Sequence, residues 1–517
     1  MDLLALSHTL KLIADTLWGW PLIGLLVVTG LWLTVYLHGL TLWRLPRALW
    51  DVLGPQRHDA LAHGMISNRS AMLTALAATV GTGNIAGVAT AIAIGGPGAM
   101  FWMWVSGLLG MALKFSETLL GVHYRVRERD GTYRGGPMHY LTHGANMPWL
   151  GMLFAIALTF AAISIGGMVQ SNSIADAMAS GFGISPSLTG ALVVAMAAAI
   201  LFGGLKRIAR AADVLVPFMI ALFAGSGLLI LALNAAYVPA LFATIFRDAF
   251  QGTAAAGGFA GATLMMAMRY GLARGVFANE SGLGSAPIVA ATAKTRHPAE
   301  QAFISMTQTF IDTFFVCTFT GLVILITGAW QAEGLASAGA SLTAFAFNSG
   351  LGNLALASMP VGSMIVAICL LLFAFTTILG WGYYGQQGAV YVLGQRAATP
   401  YLVVFLVATF AGAGVLDWAA SIRDGVTLIW TLADITVACM LVPNLLGLLI
   451  LSPKVKALSM DYLRHLKTGE RLAHAPFYFE AAAAPRHSST APVVAAKMAP
   501  KASTPPRRAT ARPTKRR

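Results

Sequence analysis

Four residues, Gly81-Thr82-Gly83-Asn84, interrupt an otherwise apolar stretch, AATVGTGNIAGVATAI from Ala77 to Ile92. Glycine in a helix interior costs about 1 kcal/mol relative to alanine, so two of them within three residues predict that the helix unwinds here. Unwound backbone at membrane depth is tolerated only where its freed groups line a cavity or bind something. The amides of Thr82 and Gly83 would face an anion at the positive start of the outer half-helix. The carbonyls that end the inner half-helix, from Ala77 to Val80, would face a cation. A carboxylate and a sodium ion are natural joint ligands of such a break; the same glycines could instead let the helix pack closely on a neighbour.

A second glycine-rich interruption lies in GTAAAGGFAGATLMMAM, Gly252 to Met268. There the carbonyls around Gly257-Gly258-Phe259 could accept an ammonium, with Phe259 as a pocket wall; Gly257, Gly258 and Gly261 could equally form a packing face. Backbone at both ends would hold a zwitterion without a charged side chain, each of which costs about 2.5–3.5 kcal/mol at the bilayer centre on insertion scales. Two breaks at corresponding places in two halves of a chain point to a secondary transporter with its substrate between them. Thr376 and Thr377 place adjacent hydroxyls deep in the apolar run from Pro360 to Tyr384. Hydroxyl and carbonyl oxygens suit a small hard cation, although a threonine hydroxyl also bonds back to its own helix.

The elements that position these residues are membrane helices. The chain has 517 residues, 57% hydrophobic and 10% charged, against roughly 25% charged in a soluble domain. The N-terminus shows no cleavable-leader pattern, and the apolar stretch from Leu17 to Leu42 reads as a retained helix. Cys317, Cys369 and Cys439 all fall in apolar segments and read as small buried residues rather than as disulfides or metal ligands. Of the net charge of +14, the stretch 452–517 carries +11. This Ala/Pro/Ser/Thr-rich tail predicts a disordered cytoplasmic extension able to touch anionic lipid headgroups, and no folded nucleic-acid motif accompanies it.

Apolar runs long enough to span a bilayer, about 20 residues each, occur near 16–42, 71–95, 98–121, 149–171, 186–204, 212–234, 247–272, 300–328, 359–384, 399–416 and 425–451, which predicts an all-α polytopic protein of eleven transmembrane helices. With the N-terminus outside and the tail cytoplasmic, sixteen loop Lys and Arg fall inside and three outside, as the positive-inside rule requires. Residues 1–70 then form a preceding helix and cytoplasmic loop, 71–234 a first repeat of five helices, 235–451 a second, inverted one, and 452–517 the tail. Ser341 to Asn353 reads as a surface helix over the outer entrance. Five plus five inverted helices, the first of each half broken, resemble the fold of the bacterial leucine transporter.

Longer runs sharpen that resemblance. GTGNIAGVATAI, GGPGAMFWMWVSGLLG (Gly95 to Gly110), GGPMHYL (Gly135 to Leu141), MVQSNSIAD (Met168 to Asp176), RGVFANESGLGSAPI (Arg274 to Ile288), IDTFFVCTFTG (Ile311 to Gly321) and ILGWGYYG (Ile378 to Gly385) are similar to the sodium:alanine symporter family. The resemblance implies cotransport of a small neutral amino acid, alanine or glycine, with sodium by alternating access, and no organic cofactor. It would give Thr82 and Gly83 the substrate carboxylate, with Asn84 supporting the break. Gly257, Gly258 and Phe259 would take the ammonium and side chain, and Ala77, Val80, Thr376 and Thr377 the sodium. Gln170 and Asn172 would line the pocket or bond between helices, and Trp381 would close the pocket or pack. Gln386 stands where the family usually has an acid, which leaves the coupling ion open.

Among the other charges, Lys114 and Glu117 are three apart on one helical face and are expected to pair, Arg274 and Glu280 to form an inner-gate ion pair, and intramembrane Asp312 and Asp434 to carry function. No helix shows the continuous polar stripe of a channel. No nucleophile–base set, HExxH or Walker-type run suggests an enzyme or an ATP-driven pump. The sequence is silent on oligomeric state.

Overall fold

The structure, a computed structural model, describes residues 3–54, 62–251, 260–332, 339–356, 359–418, 422–470, 472–473 and 475–479. It is a helical bundle. Eight helices among the described residues are long and apolar enough to cross a membrane, or nine if one sharply bent pair counts as a single span.

In chain order the elements that matter here are α1 (Thr9–Tyr36), α2 (Asn68–Thr79), α3 (Val88–Gly95), α4 (Gly98–His123), α5 (Pro148–Phe182), α6 (Pro186–Leu201), α7 (Leu205–Leu233), α8 (Val238–Gln251), α9 (Ala260–Asn279), α10 (Ala286–Ala290), α11 (Pro298–Ile326), α12 (Ala340–Gly350), α13 (Val361–Leu393), α14 (Ala398–Trp418) and α15 (Ile422–Thr468). α6 is apolar but shorter than the spanning helices. Ser67 caps the start of α2 by accepting from the Ser70 amide at 3.0 Å, which satisfies one of the orphan donors of a helix start.

The expected first break is present. α2 ends at Thr79, Val80 turns extended, and one π turn, Gly83–Gly87, leads into α3. The two halves are bent by 56°. The helix expected near Ser341 to Asn353 is α12, and its Thr343 hydroxyl donates to the Ile85 carbonyl at 3.1 Å, so it lies against the second half of the broken span.

The second half differs from expectation. The stretch 247–272, expected to be a single span broken at Gly257-Gly258, is described only as α8 and α9, which flank residues 252–259 outside the described set. Trp102 donates to the Ala249 carbonyl at 3.1 Å, and Gly98 packs on Asp248 and Gly95 on Ala267. α8 and the first half of α9 therefore sit at the Gly95–Gly98 end of the first broken span. At the opposite end, the Lys294 amide donates to the Ile66 carbonyl at 2.8 Å and Thr295 to His63 at 3.2 Å.

The chain thus traverses the bundle between Ala267 and Ala293. Arg269 and Arg274 lie at the end opposite to Lys294 and Arg296, which changes the loop-charge tally to fourteen against five. Arg274 is accommodated there by stacking on Phe277, 5.5 Å from its ring centre, and by sharing a small cavity with Asp15 and Asp434.

Candidate substrate and ion site

At the first break two of the amides freed by unwinding are taken by side chains. The Gly81 amide donates to Asn84 Oδ1 at 3.0 Å, and the Thr82 amide donates to Gln170 Oε1 at 3.3 Å. Gln170 is oriented by its own amide group, which donates to the Thr82 hydroxyl at 3.3 Å and to the Ile165 carbonyl at 3.1 Å. It stands two residues past a π turn in α5, Ala162–Met168. Asn84 in turn donates to Asp312 Oδ1 at 2.7 Å and to Cys317 Sγ at 3.2 Å, and its carbonyl accepts from Thr320 at 2.8 Å. All of these groups are buried. The side chains supply the bonds that the helix gave up, as buried backbone requires.

Below the break the oxygens outnumber the protons. The Thr377 hydroxyl lies 3.2 Å from the Val80 carbonyl, 3.4 Å from that of Ala77 and 3.0 Å from that of Phe373 in its own helix. One hydroxyl hydrogen can serve only one of three carbonyls. The result is a cluster of four oxygens with one donor, the environment a hard cation prefers. Thr376 points elsewhere: its hydroxyl bonds the Phe373 carbonyl at 3.0 Å and touches Met219 Sδ at 3.6 Å.

Facing the first break is an interruption that the glycine pattern did not single out. α9 stops at Asn279, the chain winds through Glu280 to Ser285, and α10 begins at Ala286, with every residue from 279 to 285 buried. Glu280 has φ +52°, a left-handed conformation rare for a non-glycine residue. Gly282 and Gly284, at φ +89° and +78°, provide the remaining reversals.

This loop is clamped by ionisable side chains. Glu280 accepts from Trp381 Nε1 at 2.9 Å and from Ser285 at 2.6 Å, while Lys114 Nζ donates to the Glu280 carbonyl at 2.9 Å. Glu117 accepts from the Gly284 amide at 3.2 Å and from Asn444 at 2.7 Å; Asn444 also donates to the Gly282 carbonyl at 2.7 Å and accepts from the Tyr140 hydroxyl. Lys114 and Glu117 therefore do not form the expected contact pair: each reaches a different point of the loop, because the loop's bare backbone is a nearer partner than the adjacent turn. The two interruptions meet, since a Cβ on Gly83 would lie 3.1 Å from the Cα of Ala278 and 3.1 Å from the Phe277 ring.

The structure thus brings together Ala77, Val80, Thr82, Gly83, Asn84, Gln170 and Thr377 around the first break, with Trp381 reaching Glu280 on the facing loop. Gly257, Gly258 and Phe259 lie outside the described residues. Asn172 donates to the Gly412 carbonyl at 3.0 Å and so joins two helices. Arg274 and Glu280 are not partners, the first stacking on Phe277 and the second held by Trp381, Ser285 and Lys114. Gln386 donates to the Ala398 carbonyl at 3.2 Å. Sequence reasoning missed the joint role of Glu117, Tyr140, Asn444 and the 280–285 loop; the signal available was ESGLGS, an acid followed by alternating glycines between apolar runs.

Broken apolar helices converging on a buried, oxygen-lined site define a polytopic membrane transporter. The chain belongs to the sodium:alanine symporter family, whose sequence model it matches over residues 3–475. It is 44% identical over 457 residues to the sodium/alanine symporter AgcS of Methanococcus maripaludis, covering 87% of this chain and 95% of that one. To the probable sodium/glutamine symporter GlnT of Bacillus subtilis it is 35% identical over 467 residues, covering 90% and 92%. Among solved structures the fold is similar to MhsT in complex with L-phenylalanine, at TM-score 0.53 and 15% identity over 77% of this chain and 99% of that one. The manganese transporter of Eremococcus coleocola is similar at TM-score 0.53 and 13% identity, covering 80% of this chain and 93% of that one. These likenesses place the fold with the leucine-transporter type.

Proposed function

We propose that the chain couples the entry of sodium to uptake of a small neutral amino acid, alanine or glycine, by alternating access. The observation that carries this reading is the oxygen cluster of Thr377, Ala77 and Val80 directly beneath a break whose Thr82 amide is held by an exchangeable side-chain oxygen. Gln170 Oε1 occupies the position a substrate carboxylate would take; a carboxylate, being charged, forms the stronger bond to the same amide. Sodium sits in the Thr377 cluster, with Thr376 shaping that helix from behind. Phe277 and the Asn279–Ser285 loop wall the ammonium and side-chain end, the role expected of Gly257, Gly258 and Phe259. The choice of alanine or glycine follows the name of AgcS, a sodium/alanine symporter 44% identical to this chain, rather than that of GlnT, a probable sodium/glutamine symporter 35% identical.

In this reading the bundle has eleven crossings, with α6 and the segment α9–loop–α10 added to the nine longer spans. α2 to α7 form one repeat of five and α9 to α15 the inverted second, with the N-terminus outside and the basic tail in the cytoplasm. Sodium entry supplies about 2.3 kcal/mol per charge per 100 mV, enough to concentrate a neutral solute. Radiolabelled alanine uptake by proteoliposomes, with and without an inward sodium gradient, tests it. The reading expects accumulation only with the gradient, and uptake indifferent to sodium would overturn it.

A further inference from the structure

Asp312 stands on the π turn of α11, Ile311–Cys317, with no exposed surface. Its Oδ1 accepts one short bond, from Asn84 at 2.7 Å. Among the described residues its Oδ2 has only distant neighbours, the Thr313 hydroxyl at 3.5 Å and Cys317 Sγ at 3.8 Å. Among the described residues no Lys, Arg or His nitrogen lies within 4.0 Å of it. The charged groups that act on it are Lys114 from α4, whose ammonium is spent on the Glu280 carbonyl, and the Glu280 carboxylate itself; Glu117 lies one turn beyond Lys114.

A carboxylate buried with one good donor and no cation costs several kcal/mol, so this group needs neutralising. A hard metal ion asks for a ring of oxygens, yet the atoms around Asp312 include an amide NH2 and a thiol. A proton fits the second oxygen without any such ring. The same Asn84 that donates to Asp312 also receives the Gly81 amide, so the acid and the first break share one side chain.

We propose that Asp312 is a proton-binding site linked to the first break, holding a proton on Oδ2 while the break is closed. When the break opens to water the O–H bond breaks, the proton passes to water and the carboxylate is hydrated; closing takes one proton back. Each closing event then consumes one proton, and the closed-to-open ratio falls by up to about tenfold per pH unit once the open form is ionised. The transport arm of the test rests on the sodium-symport reading, whereas the spectroscopic arm does not.

Infrared difference spectra of the purified full chain should contain the carbonyl stretch of a protonated buried acid that is absent from Asp312→Asn; a spectrum unchanged by the substitution would overturn the proposal. In proteoliposomes, wild-type alanine uptake at saturating sodium should decline as pH rises, while Asp312→Asn should give a flat profile with an unchanged half-saturating sodium concentration. A variant that keeps the wild-type pH profile, or that alters sodium dependence instead, would overturn it by making Asp312 a structural acid or a sodium ligand. Should Asp312→Asn fail to fold, Asp312→Glu must show a shifted acid band and a shifted pH midpoint, and identity with the wild type in both would count against the site. Absence of any uptake by the wild type would sink the symport reading and leave the infrared result standing.

Discussion

The two interruptions that meet at the centre of the bundle are held by different chemistry. The first, Val80 to Asn84, is held by neutral amides: Asn84 on Gly81 and Gln170 on Thr82. The second, Asn279 to Ser285, is held by ionisable side chains, with Glu117, Glu280 and Lys114 fixing its amides, its indole partner and its carbonyls. A neutral hydrogen bond contributes about 1 kcal/mol net, and one to a charged group about 1.5–3 kcal/mol. The first break can therefore exchange its partners for a ligand, whereas the second is a fixed frame against which that exchange takes place.

The sharpest way to break this contrast is at Gly284. Its φ of +78° is strained for any L side chain, and a methyl there would collide with Pro137 and press on Phe154 and Asn444. Gly284→Ala should abolish monodisperse protein on size-exclusion chromatography, whereas an alanine at exposed Gly204, also at positive φ but with open space around it, should cost far less. Comparable behaviour of the two would mean that the loop is not a rigid frame.

A second effect lies where that frame continues toward Lys294 and α11. His297 caps α11 by accepting from the Ala299 amide at 3.1 Å and stacks on Tyr462. Burial pushes its imidazole down to about 4. Because the folded value lies below the unfolded one of about 6.5, stability is intact above pH 6.5 and is lost as pH falls toward 4. The full loss is on the order of 3 kcal/mol. Thermal unfolding in detergent should show the midpoint declining through that window, and His297→Asn should decline less.

Smaller effects belong to the first break. Thr377→Ala removes one oxygen from the cation cluster and should raise the half-saturating sodium concentration about tenfold, the equivalent of about 1.4 kcal/mol, with folding retained. Gln170→Ala frees the Thr82 amide and should change the alanine KM by a few-fold, in keeping with one neutral bond of about 1 kcal/mol. Serine at position 377 should restore most of the sodium affinity, since it keeps the hydroxyl.

The first break was legible because two glycines flank a threonine inside an apolar run, a pattern that both lowers helix propensity and clears space. Gln170 was legible as a polar side chain in a membrane helix, although which amide it would reach was not. The facing loop was hidden by its own composition. An acid near an arginine reads as a mark of an ion pair, so Glu280 suggested an inner gate with Arg274; here Trp381, Ser285 and Lys114 hold it inside the bundle instead. The same assumption put Arg269 and Arg274 at the wrong end of the bundle, because an arginine that stacks on Phe277 beside Asp434 needs no loop. Periodicity reports how apolar a segment is, and it does not report which buried partners a polar residue will find.

The most direct test of the account is the transient current of proteoliposomes on a solid-supported membrane after addition of alanine. The account predicts inward positive charge movement that requires sodium and alanine together and that shifts to higher sodium in Thr377→Ala. A current of equal size with potassium in place of sodium, or a Thr377→Ala current with wild-type sodium dependence, would contradict it.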